Sequence, residues 1–160
     1  MGRQTKNQID WAYIAGFLDG DGSLMVQIKN RRKTEKGWRL MFTICFYQDI
    51  CHKKPLEWIK NKIGIGYLSE RSDGIAELRV NGFEAVRRTL IAMKPYVKFK
   101  AIQLRIILRI LSLIGGKNFV QLNKNTRLKI ADLIIDLRNQ NYKSGKRKFN
   151  KIELRKILGF

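Results

Sequence analysis

The sequence predicts an α+β protein in which an antiparallel four-stranded sheet carries helices on one face. Three observations predict it. Two pairs of short segments alternate apolar and polar residues with period two. A segment of helical spacing stands before each pair, and helices follow the second. Glycine and proline mark most of the boundaries. The resulting order is α-β-β-α-β-β-α-α.

The first helix is expected over residues 8–19, with Asn7 as N-cap and Asp10 in the first turn. Its apolar residues exceed one stripe, so it should be buried on most sides. Ala12, Ala15, Gly16 and Asp19 share a face of small residues, which admits close approach of a second backbone. After Gly22 the period becomes two. Leu24, Val26 and Ile28 alternate with Met25, Gln27 and Lys29, then Leu40, Phe42, Ile44 and Phe46 with Arg39, Met41, Thr43, Cys45 and Tyr47. The basic stretch NRRKTEKG joins these strands in a long hairpin. A helix over 53–63 follows, started by Pro55 and ended by Gly64 and Gly66. A second hairpin turns at Ser72-Asp73-Gly74. Helices follow over 83–93, 101–114 and about 126–138. The NKIE run at 150–153 has the form of a capping box before a short last helix.

The chain has 160 residues, and all of it (1–160) is read as one domain. The core spans about 8–115, and C-terminal helices with a basic tail span about 116–160. It carries 33 Lys and Arg against 13 Asp and Glu, a net charge of +20. Such a charge opposes compaction by self-repulsion, so a polyanionic partner is the reading it favours. No apolar run is long enough for a membrane span. The N-terminus lacks a signal core, so a secreted protein is not expected. The two cysteines, Cys45 and Cys51, and the single His52 fit a reducing compartment and cannot close a four-ligand zinc site.

A two-stranded ribbon fits the major groove of DNA. The first strand, Ser23 to Arg31, spans about 30 Å, or about nine base pairs. Gln27, Lys29, Arg31, Arg39 and Thr43 offer polar contacts, and Met25 and Met41 suit thymine methyls. A solvated sheet face would also be polar; the net charge favours nucleic acid. Asp19 and Asp21, in IAGFLDGDGS, stand at the end of the first helix beside that strand. Acids beside phosphates repel unless a cation lies between them, and phosphodiester hydrolysis uses a divalent metal on oxygen ligands.

YIAGFLDGDGS resembles the motif of the LAGLIDADG homing endonucleases, with Ile14 at the usual Leu position. Gln48, IGIGYL at 63–68 and KPYVKFKAIQ at 94–103 are similar in order and spacing to the single-motif, homodimeric branch related to algal chloroplast intron enzymes. The likeness covers residues 8 to about 115. It implies an αββαββα core whose sheet forms a DNA-binding saddle. It also implies a homodimer with Ala12, Ala15, Gly16 and Asp19 at the interface, and double-strand cleavage of a pseudo-palindrome of about 20 base pairs. Products would carry 5′ phosphates and short 3′ overhangs.

The resemblance makes Asp21 the metal ligand, assisted by the Gly20 carbonyl, and Asp19 a structural residue. The metal implied is Mg²⁺, with Mn²⁺ or Ca²⁺ as substitutes. Gln48 would order water, and Lys100 would face the phosphate, with Lys98 as the other register. Where related enzymes carry Arg or Lys, this chain has His52 followed by Lys53, so either fills that basic role. Lys33, Tyr47, Ser69 and Arg71 join the saddle-facing residues. Glu77 and Arg79 match base-reading positions, and Arg32, Lys117 and Lys143 are candidate phosphate contacts. The substrate is double-stranded DNA and not a small molecule, with no membrane partner. The compartment is an organelle (chloroplast or mitochondrion) or a prokaryotic cytoplasm. A non-catalytic alternative, an RNA- or DNA-binding maturase, would not need Asp21, Gln48 and Lys100.

Overall fold

In a computed structural model, residues 5–30, 38–117 and 119–141 are described. Helix α1 (Lys6–Asp21) leads into strands β1 (Gly22–Asn30) and β2 (Trp38–Asp49). A short 3-10 turn and α2 (Lys53–Ile63) precede β3 (Tyr67–Glu70) and β4 (Ile75–Asn81). Then come α3 (Phe83–Met93), α4 (Ala101–Ile114) and α5 (Lys124–Gln140). The four strands form one antiparallel sheet in the order β1-β2-β4-β3. The observed order matches the prediction through β4, and three helices follow where the order α-β-β-α-β-β-α-α has two.

Two helix starts differ from expectation. Thr5, not Asn7, caps α1: its side chain accepts from Gln8 N, and the Gln8 side chain accepts from Thr5 N at 2.8 Å. Two orphan donors are satisfied at once, which Asn7 alone would not achieve. Asp10 consequently lies beyond the first turn, where it pairs with Lys62 of α2. Helix α5 begins at Lys124 because Asn123 accepts from Thr126 N at 2.8 Å.

Contacts divide the described residues into two compact units. The first holds the chain up to Met25 together with Phe42–Ala101. Its core is Ile14 and Leu18 of α1, Ile44 and Phe46 of β2, Leu56 and Ile59 of α2, Leu78 and Val80 of β4, and Leu90 of α3, all essentially inaccessible. The Phe17 and Phe46 rings stack with centroids 6.0 Å apart. The second unit holds Val26–Met41 and the residues from Ile102 on. There Leu104, Ile107, Ile110 and Leu111 of α4, and Ile130, Ile134 and Leu137 of α5, are buried. Buried Gln103 donates to the Gln140 carbonyl at 3.1 Å, tying α4 to the end of α5.

Pairing of β2 with β4 sets the two sheet faces. Ile44 faces Val80 and Phe46 faces Leu78 on the core side. Cys45 faces Arg79 and Tyr47 faces Glu77 on the opposite side. Strand β3 adds Ser69 opposite Glu77 and Tyr67 opposite Arg79. Gly22 makes the sharp passage from α1 into β1 possible, since a Cβ there would stand 2.6 Å from Leu18 Cδ1 and 2.8 Å from Leu18 Cα. That close passage places Asp21 at the mouth of the sheet.

Candidate active site and nucleic-acid interface

The end of α1 treats its two acids differently. Asp19 Oδ2 accepts from the backbone N–H of Lys98 at 2.6 Å and of Phe99 at 3.1 Å. Its Oδ1 accepts from Lys100 N at 2.9 Å. Three donors of the turn before α4 are thus satisfied by one carboxylate, which fixes the 98–100 segment against α1. Lys100 Nζ in turn donates to the Asp19 carbonyl at 2.5 Å. Burial pushes the Lys100 ammonium below the usual lysine range, and the carboxylates of Asp19 and Asp21 oppose that shift. Asp21 itself is exposed, with no hydrogen bond or ion pair among the described residues.

Asp21 opens into a cleft of about 410 Å³ that it shares with Gly20, Gly22, Tyr47, Gln48, Asp49 and Ile75. The structure therefore brings together Asp21, Gly20, Gln48 and Tyr47 of the expected site, with Lys100 held at the adjoining helix end. Gln48 Oε1 accepts from Asp49 N at 3.0 Å, which leaves its amide NH₂ as a donor. The cleft also includes Asp49, which the sequence reading did not single out. Asp49 accepts from Cys51 N at 2.8 Å, and that bond holds its carboxyl below the usual carboxylate range.

The two candidates for the peripheral basic role part company. Lys53 donates to Glu70 at 2.8 Å, and this bond raises its pKa. His52 is exposed at the start of α2. Among the described residues no three His, Cys, Asp or Glu side chains converge as a metal cluster. What one chain offers in this cleft is the carboxylates of Asp21 and Asp49 and backbone oxygen: hard donors of the type Mg²⁺ prefers, but too few to complete six-coordination.

The sheet face opposite the core carries a second polar assembly. Glu77 is only 4% accessible yet ionic. Arg79 grips it twice, Nε to Oε2 at 2.8 Å and Nη2 to Oε1 at 3.0 Å, and Arg71 Nη1 approaches Oε1 at 3.5 Å. The Arg79 bonds, then the nearby positive charge of both arginines, hold the Glu77 carboxyl below its usual range despite burial. Arg71 also donates to Asp73 at 2.6 Å. Thr43 is buried and donates to Asn81 Oδ1 at 2.7 Å, and Tyr47 shares a 3.2 Å bond with Ser23.

Elsewhere, Ser69 is half-buried and Met25 likewise. In the second unit Gln27 and Met41 are half-buried, while Lys29, Arg39 and Lys117 are exposed. Arg31, Arg32, Lys33 and Lys143 lie outside the described residues. Tyr67, 66% exposed and paired with Arg79, stands two residues before Ser69 on β3 and was not among the residues read as saddle-facing.

The outer stripe of α1 is Ile9, Ala12, Tyr13, Gly16 and Gly20, at spacings of three and four. Ile9 and Tyr13 are more than half exposed, and a Cβ on Gly16 or Gly20 would meet nothing within 4 Å. Ala15 points the other way and is fully buried within the chain. Beside the stripe lies an apolar groove of about 420 Å³ lined by Ile9, Asp10, Tyr13, Pro55 and Trp58.

Comparison with known proteins bears on this geometry. The profile of the LAGLIDADG endonucleases matches residues 14–96, 83 of the 160 residues. The chain is similar to DNA endonuclease I-CvuI of Chlorella vulgaris, 29% identical over 105 residues, which cover 66% of this chain and 65% of that protein. It is similar to DNA endonuclease I-CreI of Chlamydomonas reinhardtii, 28% identical over 99 residues, 62% of this chain and 60% of that one. Both matches thus span less than two thirds of the relative. A crystal structure of the homing endonuclease I-CvuI, in complex with its target in the presence of calcium, superposes with a TM-score of 0.80. It covers 95% of this chain and 94% of that one at 23% identity, a likeness that establishes the fold. No helix among the described residues is long and apolar enough to cross a membrane.

Proposed function

The chain belongs to the LAGLIDADG endonuclease family, and we propose on that premise that it is a site-specific DNA double-strand endonuclease acting as a homodimer. One observation carries the reading. An unpaired carboxylate, Asp21, stands at a helix end beside Gln48 and Lys100, in a chain of net charge +20. A free acid in that field repels phosphate unless a cation is bound. Asp21 and the Gly20 carbonyl would hold a divalent ion, Mg²⁺ with Mn²⁺ or Ca²⁺ as substitutes, and a second copy's Asp21 would help complete its oxygen ligands. Bound there, the ion supplies Lewis-acid stabilisation of charge at the scissile phosphate and lowers the pKa of water.

The chain's own residues do the rest. Asp19 fixes the 98–100 turn, so Lys100 keeps its ammonium near the phosphate, where charge accumulates in the transition state. Gln48, anchored through its oxygen, donates its NH₂ to water in the cleft. His52 is the freer of the two peripheral bases, because Lys53 is taken by Glu70. The exposed stripe of α1 lets the helices of two copies meet, and two-fold symmetry then supplies one site for each DNA strand. Such a dimer reads a pseudo-palindrome of about 20 base pairs and leaves 5′ phosphates with short 3′ overhangs. The algal origin of both relatives fits organellar DNA as the target, with a prokaryotic cytoplasm as the other setting.

The test is cleavage of supercoiled plasmid carrying a target selected from a randomised library. With Mg²⁺ the parent should yield linear DNA. Asp21→Asn should bind the same duplex and cleave about 10³-fold more slowly, the loss of several kcal/mol of charge stabilisation. A parent that binds but never nicks with Mg²⁺ or Mn²⁺ would replace this reading with that of a non-catalytic binder.

A further inference from the structure

Asp21, the acid that would hold the metal, has no support of its own. It makes no hydrogen bond or ion pair among the described residues, and its neighbours on both sides are glycines, Gly20 and Gly22. Neither glycine can anchor it through a side chain. The first side chains available are two residues away, Asp19 before it and Ser23 after it. Both are tied to other elements. Asp19 accepts from the N–H groups of Lys98, Phe99 and Lys100, which fixes the end of α1 to the Lys100 side of the site. Ser23 Oγ lies 3.2 Å from the Tyr47 hydroxyl, and either oxygen can donate.

The second tie reaches the other half of the site. Tyr47 precedes Gln48 on β2, and both line the cleft with Asp21. No other side-chain hydrogen bond joins β1 to β2 among the described residues. Ser23 and Tyr47 are half-buried, where a hydrogen bond competes less with water. Burial is the main cause that raises the Tyr47 pKa, so the phenol keeps its proton at neutral pH. Gly22 allows little slack between the ties. A Cβ there would stand 2.6 Å from Leu18 Cδ1, so α1 passes tightly onto β1.

We propose that Ser23 and Tyr47 are positioning residues of DNA cleavage: their hydroxyl bond clasps the α1–β1 joint to β2 and so holds the Asp21 carboxylate in register with Gln48. The inference rests on the endonuclease reading above. Asp21 brings the divalent ion and Gln48 orders the water, so their separation sets how water stands to the phosphate. A displacement of about 1 Å is enough to slow a reaction by about 10²-fold. Neither hydroxyl has to touch metal or DNA for this. The role is distinct from a saddle contact by Tyr47, because it acts through the Ser23 oxygen and not through a base.

The full chain, bound to a selected duplex with uncleavable linkages at the scissile phosphates, should be titrated with Mn²⁺ and followed by electron paramagnetic resonance. Tyr47→Phe keeps the ring and removes one hydroxyl, and Ser23→Ala removes the other. Each should weaken Mn²⁺ binding. On the cleavable duplex each should lower kcat roughly 10- to 100-fold, with KM for DNA and base selection as in the parent. The double variant should be no slower than either single variant, because all three lose the same bond. Ser23→Thr retains a hydroxyl and should recover most of the loss. Losses that add, or unchanged Mn²⁺ binding and kcat in the single variants, overturn the clasp. A raised KM or altered base selection in Tyr47→Phe, with Ser23→Ala like the parent, makes Tyr47 a DNA contact and also overturns it. If one single variant fails to fold, the other decides by the same readouts. A parent that neither binds Mn²⁺ beside DNA nor cuts fails the earlier reading, whereas a parent that cuts while its variants match it fails only this one.

Discussion

In the proposed reaction Lys100 has to be a cation where burial disfavours one. Its Nζ donates to the Asp19 carbonyl, burial lowers its pKa, and the two nearby acids partly restore it. A lysine with a lowered folded pKa loses its proton below the ordinary 10.5. Cleavage that needs this charge should therefore decline on the alkaline side at a lower pH than an exposed lysine would cause. Lys100→Arg, cationic throughout, should lose that limb while cutting more slowly, because a planar fork replaces a point charge. The pH profile of kcat/KM at fixed Mg²⁺ measures this, and the same limb in both proteins would remove Lys100 from the reaction. Glu77 titrates with the opposite consequence. Its folded pKa is depressed, so its stabilisation is present above the ordinary carboxylate range and is lost as pH falls through the folded value. Glu77→Gln should cost about 1 kcal/mol at pH 7, since Arg79 is exposed enough to rehydrate, and less at pH 3. Urea denaturation at the two pH values checks the difference.

At the scale of elements, α1 separates two demands that its sequence mixes. Its inner side buries Ile14, Ala15 and Leu18, and its outer side leaves Gly16 with open space. Gly16→Leu should fold, because a Cβ meets nothing in the chain and leucine favours helix over glycine by about 0.5–1 kcal/mol. In a dimer joined through this stripe, the same leucine should keep the helices apart. Light scattering should then report a monomer, and double-strand cleavage should disappear. A dimeric, active Gly16→Leu protein would place the interface elsewhere. The elements themselves were largely legible. Helices over 53–63, 83–93 and 101–114 have the bounds read from the chain, because local chemistry stops them: Gly64 adopts a φ of 78° as the C-cap of α2, and glycines follow α4. The start of α1 was misread because a reciprocal Thr5–Gln8 pair outcompetes a lone Asn7. Asp49 and Ile75 reach the cleft through cross-strand register, which no local pattern encodes. Glu77 is held as a buried ion by Arg79, two residues along the same strand, and by Arg71 from the hairpin turn; its burial comes from pairing with Tyr47 and Ser69 across the sheet, which the local spacing does not reveal.

For the whole molecule the governing quantity is a charge of +20. It acts with opposite signs on the free fold and on the proposed DNA complex. In the free protein, like charges repel, and salt screens them over about 10 Å at 0.1 M. Added salt should therefore raise the melting temperature. In the complex, lysines and arginines displace condensed counterions, and salt opposes that release. If six to ten phosphates are neutralised, affinity should fall about 10³- to 10⁵-fold between 50 and 200 mM salt. Exposed Lys29, Arg39 and Lys117 are candidates for such contacts. Fluorescence anisotropy on a selected duplex gives the slope, and calorimetry without DNA gives the melting curve over the same salt range. Sequence-specific base contacts add an offset between selected and random duplexes but little slope. A slope near zero on the selected duplex, beside a rising melting temperature, would mean that the charge is a burden on the fold without serving DNA binding.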